Sequence, residues 1–273
     1  MLARVFPTKT NATPDDQYAF IGEPPADIPC DITEIHISCT FTWDKLQTEQ
    51  LAEKWSHIAP VKIGGPAYND RGETFTPGKY LKKGRIITSR GCPNKCWFCV
   101  VPKREGPLRE LPITEGSNLM DDNILACSDQ HIKKVFAMLN TQAGVQLSGG
   151  LEARRLKDWH VELFGKAKVQ NCFFAYDSPD DYEPLVTAAE TLKRHKWYTW
   201  RKCGCYCLIG YPGDTLEKAE QRLKEIYRLG FHAFAMFYRD PENKNQKTKE
   251  WRHLQRIYCN PFFLSSHHKT NCI

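Results

Sequence analysis

Between residues 117 and 238 short apolar, β-like segments alternate with segments of helical periodicity, and few folds accommodate that alternation. Residues 117–123 precede a helical stretch at 132–140, residues 145–148 one at 156–165, and residues 172–176 one at 182–195. Residues 205–210 precede a helical stretch at 216–229, and Ala233 to Tyr238 ends the series. Repeated β-then-α units build a parallel sheet, because a parallel strand pair needs a long crossover. Arg85-Ile-Ile-Thr-Ser adds a strand ahead of them. Six such strands curl more naturally into a partial (β/α)6, TIM-like barrel than into a closed eight-stranded one, so the predicted class is α/β.

A small N-terminal βαβ extension is predicted before this region. Residues 34–41 read as a strand, and Trp43 to Ile58 carries helical periodicity through Leu46, Leu51 and Trp55; Val61-Lys-Ile is a second strand closed by Gly64-Gly65. Residues 1 to 30 are rich in Pro, Asp and Thr and read as an irregular arm. The predicted organisation is therefore 1–82 for the arm and βαβ unit, 83–245 for the barrel and 246–273 for a basic C-terminal helix and tail. A chain of 273 residues buries an ordinary core without disulfides. Its start lacks the apolar run of a signal peptide, and no stretch of about 18 apolar residues is present, which predicts no membrane partner and a cytoplasmic setting with reduced cysteines. The net charge of +6 is a weak attraction for polyanions, concentrated near the C-terminus around Trp251, where a solvated helix face accounts for it equally well.

Three of the twelve cysteines fall within residues 88–99, as Cys92, Cys96 and Cys99 in the spacing C-x3-C-x2-C. A structural zinc site takes four ligands, and the nearest further donors, Cys127 and His131, lie beyond a predicted strand. A cube of four irons is different: three thiolates bind three corners and leave one iron open.

This loop, with Phe98 directly before its last cysteine and a short strand before its first, resembles the cluster loop of the radical S-adenosylmethionine (SAM) superfamily. Thr88-Ser-Arg-Gly-Cys-Pro and Val100-Val-Pro-Lys-Arg-Glu-Gly resemble the subgroup with cobalamin-binding or methylthiotransferase domains. So do Met120-Asp-Asp-Asn, Leu151-Glu-Ala-Arg after Gly149-Gly150, Phe174-Ala-Tyr-Asp and Leu208-Ile-Gly-Tyr-Pro-Gly-Asp-Thr, in order over about residues 85–240. The resemblance implies a [4Fe-4S] cluster on Cys92, Cys96 and Cys99 whose open iron chelates SAM, and an electron that breaks the sulfonium bond to give a 5'-deoxyadenosyl radical. It implies an external electron donor of the flavodoxin or ferredoxin kind. Asp121, Asp122 and Asn123 take the place of a glycine-rich motif near the SAM amino group, from which this chain departs. Arg154 would pair with the SAM carboxylate, Glu152 and Asp177 would hold its ribose or ammonium, and Ile209 and Gly210 would lie against the adenine. Salt bridges and helix caps are the ordinary alternatives for these carboxylates.

The N-terminal unit is similar to a shortened cobalamin domain, most visibly at Val61-Lys-Ile-Gly-Gly-Pro-Ala. It lacks the Asp-x-His-x-x-Gly motif, and His36, His57 and Asp158-Trp-His160 do not supply it, so no cobalamin is predicted. Cys203, Cys205 and Cys207 alternate along one strand at spacings of about 6.6 Å, which suits apolar packing better than one metal ion. Cys259, His267, His268 and Cys272 form a looser set, for which a terminal helix with Trp251, Leu254 and Tyr258 is the simpler account.

The reading is thus an enzyme abstracting hydrogen from an unreactive carbon, with a nucleic acid, nucleotide or modified base as the expected substrate. Two alternatives stand beside it: a peptide or protein substrate, or a non-catalytic iron-sulfur protein with an electron-transfer or structural role, which would not need the strand-end motifs.

Overall fold

The amino terminus, expected to be irregular, supplies an inner strand of a parallel sheet. The computed structural model describes residues 1–71, 74–197, 202–240 and 247–259. It divides into a unit spanning Met1–Ser117 and a second unit that begins at Asn118. In the first unit β1 (Leu2–Phe6), β2 (Ala19–Ile21), β3 (Glu34–Ser38) and β4 (Val61–Gly64) run parallel in the order β2-β1-β3-β4. One face carries the core: Ala3, Val5, Ile35 and Ile37 meet Leu51 and Trp55 of α1 (Lys45–Ser56). Arg4 concealed β1 from periodicity, because a cation at a buried position breaks the apolar pattern. Its Nη2 donates to Asp16, and its Nη1 to the carbonyl oxygens of Gly78 and Lys79 at 3.2 and 3.1 Å. Leu46, expected on the helical apolar face, is exposed, and the buried positions are Thr48, Leu51 and Trp55. Further along lie β5 (Arg85–Ile86), β6 (Ser89–Arg90), α2 (Val101–Glu105) and β7 (Arg109–Glu110).

The second unit follows the predicted alternation. β8 (Asn118–Leu119), α3 (Asp129–Leu139), β9 (Gln146–Gly150), α4 (Asp158–Lys166) and β10 (Asn171–Ala175) lead to α5 (Tyr182–Arg194) and β11 (Cys203–Ile209). α6 (Leu216–Leu229), β12 (His232–Phe237) and α7 (Lys249–Cys259) complete it. Strands β8 to β12 pair in sequence order, every pair parallel. The fold class is α/β with parallel sheets. Local chemistry sets the helix ends: the Ser128 and Thr215 hydroxyls accept from the amides of His131 and Lys218 at the starts of α3 and α6, and Gly230, with φ 98°, ends α6.

Cys203, Cys205 and Cys207 are fully buried on β11, as packing predicts, and Cys172 on β10 is in register with Cys203. α7 covers the free edge of β12: Gln255 Nε2 and Cys259 Sγ both donate to the Ala235 carbonyl, at 3.0 and 3.1 Å, and Trp251 packs on Phe237. Of the looser C-terminal set, His267, His268 and Cys272 lie outside the described residues. Among the described residues no helix is long and apolar enough to cross a membrane.

Trp55 is fully buried and donates from Nε1 to the Gly22 carbonyl at 2.9 Å. Trp55→Ala is expected to destabilise the first unit by about 3–5 kcal/mol, read as a lower urea midpoint; an unchanged midpoint would show that this core does not hold the four strands.

Candidate functional site

The three cysteines occupy a loop whose base is fastened twice. β6 and β7 pair antiparallel, Ser89 with Glu110 and Arg90 with Arg109, so residues 91–108 form a closed excursion. Inside it Glu105 is only 2% exposed. Its carboxylate accepts from Arg104 Nε and Arg109 Nη2, both at 2.9 Å, and its carbonyl accepts from Arg109 Nη1 at 2.6 Å. Burial raises the Glu105 pKa, and the two arginine hydrogen bonds outweigh it, so the net shift is downward and the group is an anion in place. Cys92 and Cys99 are half-buried and Cys96 is exposed, with the Cys99 amide donating to the Cys96 carbonyl at 3.0 Å across a turn. Phe98 is half-buried and meets the Trp97 ring edge-on at 5.5 Å. Among the described residues no three His, Cys, Asp or Glu side chains are already gathered as metal ligands. The donor set nonetheless suits an iron-sulfur group by its chemistry: three soft thiols within eight residues, on a loop with a fixed base. Ligand sets commonly close only when the metal enters.

The remaining candidates sit in the second unit, where β8 to β11 end. Asp121 is buried, and a Cβ on Gly149 would overlap its carbonyl oxygen, so a glycine at 149 is needed for β9 to pass close to this segment. Asp122 is half-buried. Asn123 Nδ2 donates to Glu152 Oε2 at 2.8 Å, and Arg155 Nε donates to the same oxygen at 2.6 Å. The structure therefore joins Asn123 and Glu152, with Arg155 as an unexpected third member. Arg154 turns the other way, to the Asp180 carbonyl and to within 3.6 Å of the Asp181 carboxylate.

A second constellation fixes the end of β11. Asp177 Oδ1 accepts the Leu208 amide at 2.7 Å, extending the β10–β11 ladder with a side chain. Arg222 of α6 donates to the Leu208 carbonyl at 3.0 Å and grips Asp214 with both Nη atoms, at 3.1 and 2.9 Å. Asp214 Oδ2 in turn accepts the Gly210 amide at 2.9 Å. Gly210 has φ 71°, and a Cβ there would overlap the Phe237 ring. That ring gives a reason for the glycine within the fold, and Ile209 beside it is fully buried. Sequence reading missed Arg222, although a signal exists: it interrupts the stripe Ala219, Leu223, Ile226 that α6 buries. A cation at such a position marks a buried partner.

Burial raises the Asp177 pKa to about 6, beyond what the Leu208 hydrogen bond offsets. The unfolded value is about 3.9, so the folded state holds this proton more tightly. Stability from this group is therefore present at about pH 4 and falls as pH rises to about 6, by about 3 kcal/mol in all. Asp177→Asn keeps an acceptor for Leu208 and removes the charge. It should equal the parent near pH 4 and exceed it at pH 7 in urea unfolding; equal destabilisation at both pH values would contradict this origin of the shift. Arg222→Met strands the Asp214 carboxylate, which is fully buried, and should cost about 3–5 kcal/mol in the same assay. No loss would show that the pair contributes nothing net.

No protein-family model matches the sequence, and no curated protein does either. Among solved structures, the radical S-adenosylmethionine methyltransferase TsrM from Kitasatospora setae, with cobalamin and a [4Fe-4S] cluster bound, is similar over 86% of this chain and 74% of its own, with a TM-score of 0.61 and 10% sequence identity. At that identity the likeness carries the fold: this chain shares its α/β architecture with a radical SAM enzyme.

Proposed function

We propose that the chain is a radical SAM enzyme in which Cys92, Cys96 and Cys99 bind a [4Fe-4S] cluster and the strand-end residues of the second unit bind SAM. The observation that carries the proposal is a three-thiol loop in a chain whose fold is shared with TsrM. When bound and reduced, such a cluster supplies the electron that splits the sulfonium bond of SAM, the step that enables hydrogen abstraction. The consecutive parallel strands support the partial (β/α)6 barrel, with its binding residues after the strands.

The chain's own side chains take defined parts in this reading. The two donors on Glu152, from Asn123 and Arg155, reach the same oxygen, Oε2, and fix the carboxylate so that Oε1 is the atom an ammonium group approaches. Arg154 releases the Asp180 carbonyl to meet the SAM carboxylate. Asp177 and Asp214 hold the backbone from Leu208 to Gly210 at the place where an adenine would lie. Asp121 and Asp122 line the turn after β8, and Phe98 shields the cluster side of its loop.

For the substrate we favour a nucleic acid or nucleotide. α7 buries Leu254, Ile257 and Tyr258 and exposes Lys249, Arg252, His253 and Arg256 with a single acid, Glu250, a mainly basic face suited to phosphates. The missing Asp-x-His-x-x-Gly motif supports chemistry without a histidine-ligated cobalamin. The four parallel strands of the first unit nevertheless remove one premise of that expectation, which counted a single βαβ unit. TsrM, moreover, was solved with cobalamin bound. A cobalamin titration followed by absorbance therefore belongs beside the main test.

That test is anaerobic reconstitution with iron and sulfide, then reduction in the presence of SAM with chromatography for 5'-deoxyadenosine. About four irons per chain and 5'-deoxyadenosine are expected, both lost in the Cys92/Cys96/Cys99→Ala variant. Iron uptake without cleavage of SAM would overturn the catalytic reading in favour of a structural or electron-transfer cluster.

A further inference from the structure

The successive helices α4, α5 and α6 are each closed by a residue in the left-handed conformation, and two of the three residues are lysines. Gly230 closes α6 with φ 98°, the ordinary choice, because glycine adopts this conformation without a Cβ clash. After α4 and α5 the same turn is made by Lys168, with φ 51°, and Lys196, with φ 52°. The Lys168 amide donates to the Gly165 carbonyl at 3.1 Å and the Lys196 amide to the Lys193 carbonyl at 2.9 Å, as the Gly230 amide does to the Tyr227 carbonyl at 2.8 Å. A lysine in this position carries strain that a glycine would relieve. Both lysines are exposed, so burial of the side chain does not repay that strain. The helix dipole favours a cation near a helix end, but it acts at α6 as well, where the chain has glycine.

The two lysines stand on neighbouring loops. β10 and β11 pair from Cys172 and Cys203 onward, and the Cys172 amide donates to the Lys202 carbonyl at 2.8 Å, so the loops that enter these strands lie side by side. Buried Trp197 ties them together: its ring meets Phe164 of α4 at 5.6 Å and carries Lys202 Nζ at 5.2 Å from its centroid. With exposed Lys166, four lysines edge this end of the sheet, and residues 163–171 and 191–203 contain no aspartate or glutamate. The acids nearby are Glu162 and Glu190, within the helices, and Asp158, which is taken up by Arg194 and His195.

We infer that Lys166, Lys168, Lys196 and Lys202 hold the phosphate backbone of a nucleic-acid substrate, at the end of the sheet opposite the candidate site. The inference rests on the nucleic-acid reading proposed above and gives that substrate a second point of attachment. A row of single-sign point charges suits a phosphate backbone, and contacts of this kind position a nucleic acid without reading its sequence. That is the part a surface remote from the reacting strand ends can play. A lipid surface is the poorer match, because the exposed side chains described on these loops, Lys166, Lys168, Gln170 and Lys196, include no apolar group to insert. No bond forms or breaks in this contact.

The test measures binding of a labelled RNA oligonucleotide to the reconstituted full chain by fluorescence anisotropy over a range of salt. Lys168→Gly with Lys196→Gly should weaken binding at least about tenfold and flatten the salt slope by about 1.4, two phosphate contacts at about 0.7 each. The same double variant should have a urea midpoint equal to the parent's or higher, since glycine relieves the strain; a merely structural role for the lysines predicts a lower one and would overturn the inference. Lys168→Asn with Lys196→Asn, which tolerates the same conformation, serves if the glycine variant folds poorly. Lys134→Gln with Lys218→Gln, exposed lysines of α3 and α6, removes equal charge elsewhere and should leave binding near the parent's. If the parent binds no RNA, the nucleic-acid reading fails and this site with it. If the parent binds RNA and only Arg252→Gln with Arg256→Gln on α7 abolishes it, that reading stands and the site on the two loops is wrong. Loss of binding to anionic lipid vesicles with RNA binding intact would equally overturn the inference.

Discussion

Leu208 is held at both of its backbone polar groups by charged side chains, and the geometry of the second unit's strand ends depends on that grip. Its amide is taken by Asp177, which follows β10, and its carbonyl by Arg222, which comes from α6. A strand end normally leaves such groups to water, which allows the following turn to fray. Here Asp214 continues the restraint by accepting the Gly210 amide, and the Phe237 ring fills the space that a larger residue would need at Gly210. Three elements thus converge on one short backbone segment, and moving any of them moves the others. The energetic sense of this is specific: burying Asp214 and Arg222 is tolerable only because they face each other with two hydrogen bonds.

The cysteine loop in the first unit is built on the same principle with different parts. It has little regular structure of its own, and the β6–β7 pair is only two residues long on each side. Glu105 supplies what the ladder lacks, since it binds the preceding residue, Arg104, and Arg109 on the returning strand. The loop that carries the three thiols is thus anchored at its base by a short ladder and a buried carboxylate held by two arginines.

What could be read in advance followed periodicity. The alternation from Asn118 to Phe237 was visible because its helices bury regular stripes and its strands are short apolar runs. β1 was hidden by Arg4, whose burial depends on Asp16 and on two carbonyls more than seventy residues away, a pairing no local pattern encodes. β2 has three residues, too few for any period to show. The same limit applies to the site. Asn123 and Glu152 were each singled out by motif, but their hydrogen bond spans β8 to β9 and needed the sheet order to bring them together. Arg154 and Arg155 are adjacent and chemically identical, and only the short 3-10 turn that contains them assigns one to Glu152 and the other to Asp180.

The cysteines show how environment divides one residue type into two chemistries. Cys205 and Cys207 are fully buried, and burial raises both thiols, Cys207 to about 12, so they persist as neutral packing groups. Cys172 is raised as well, chiefly by its hydrogen bond with Cys203 and then by burial. A metal or nucleophile role needs the thiolate, which this core penalises heavily. Cys92, Cys96 and Cys99 sit instead where water reaches them, in a segment whose neighbouring charges are Lys95, Lys103 and Arg104. The alternation Cys-x-Cys-x-Cys on β11 and the spacing C-x3-C-x2-C on the loop both place three thiols close in sequence. Of these two sets only the loop leaves its thiols within reach of water, whereas β11 seals its three in the core.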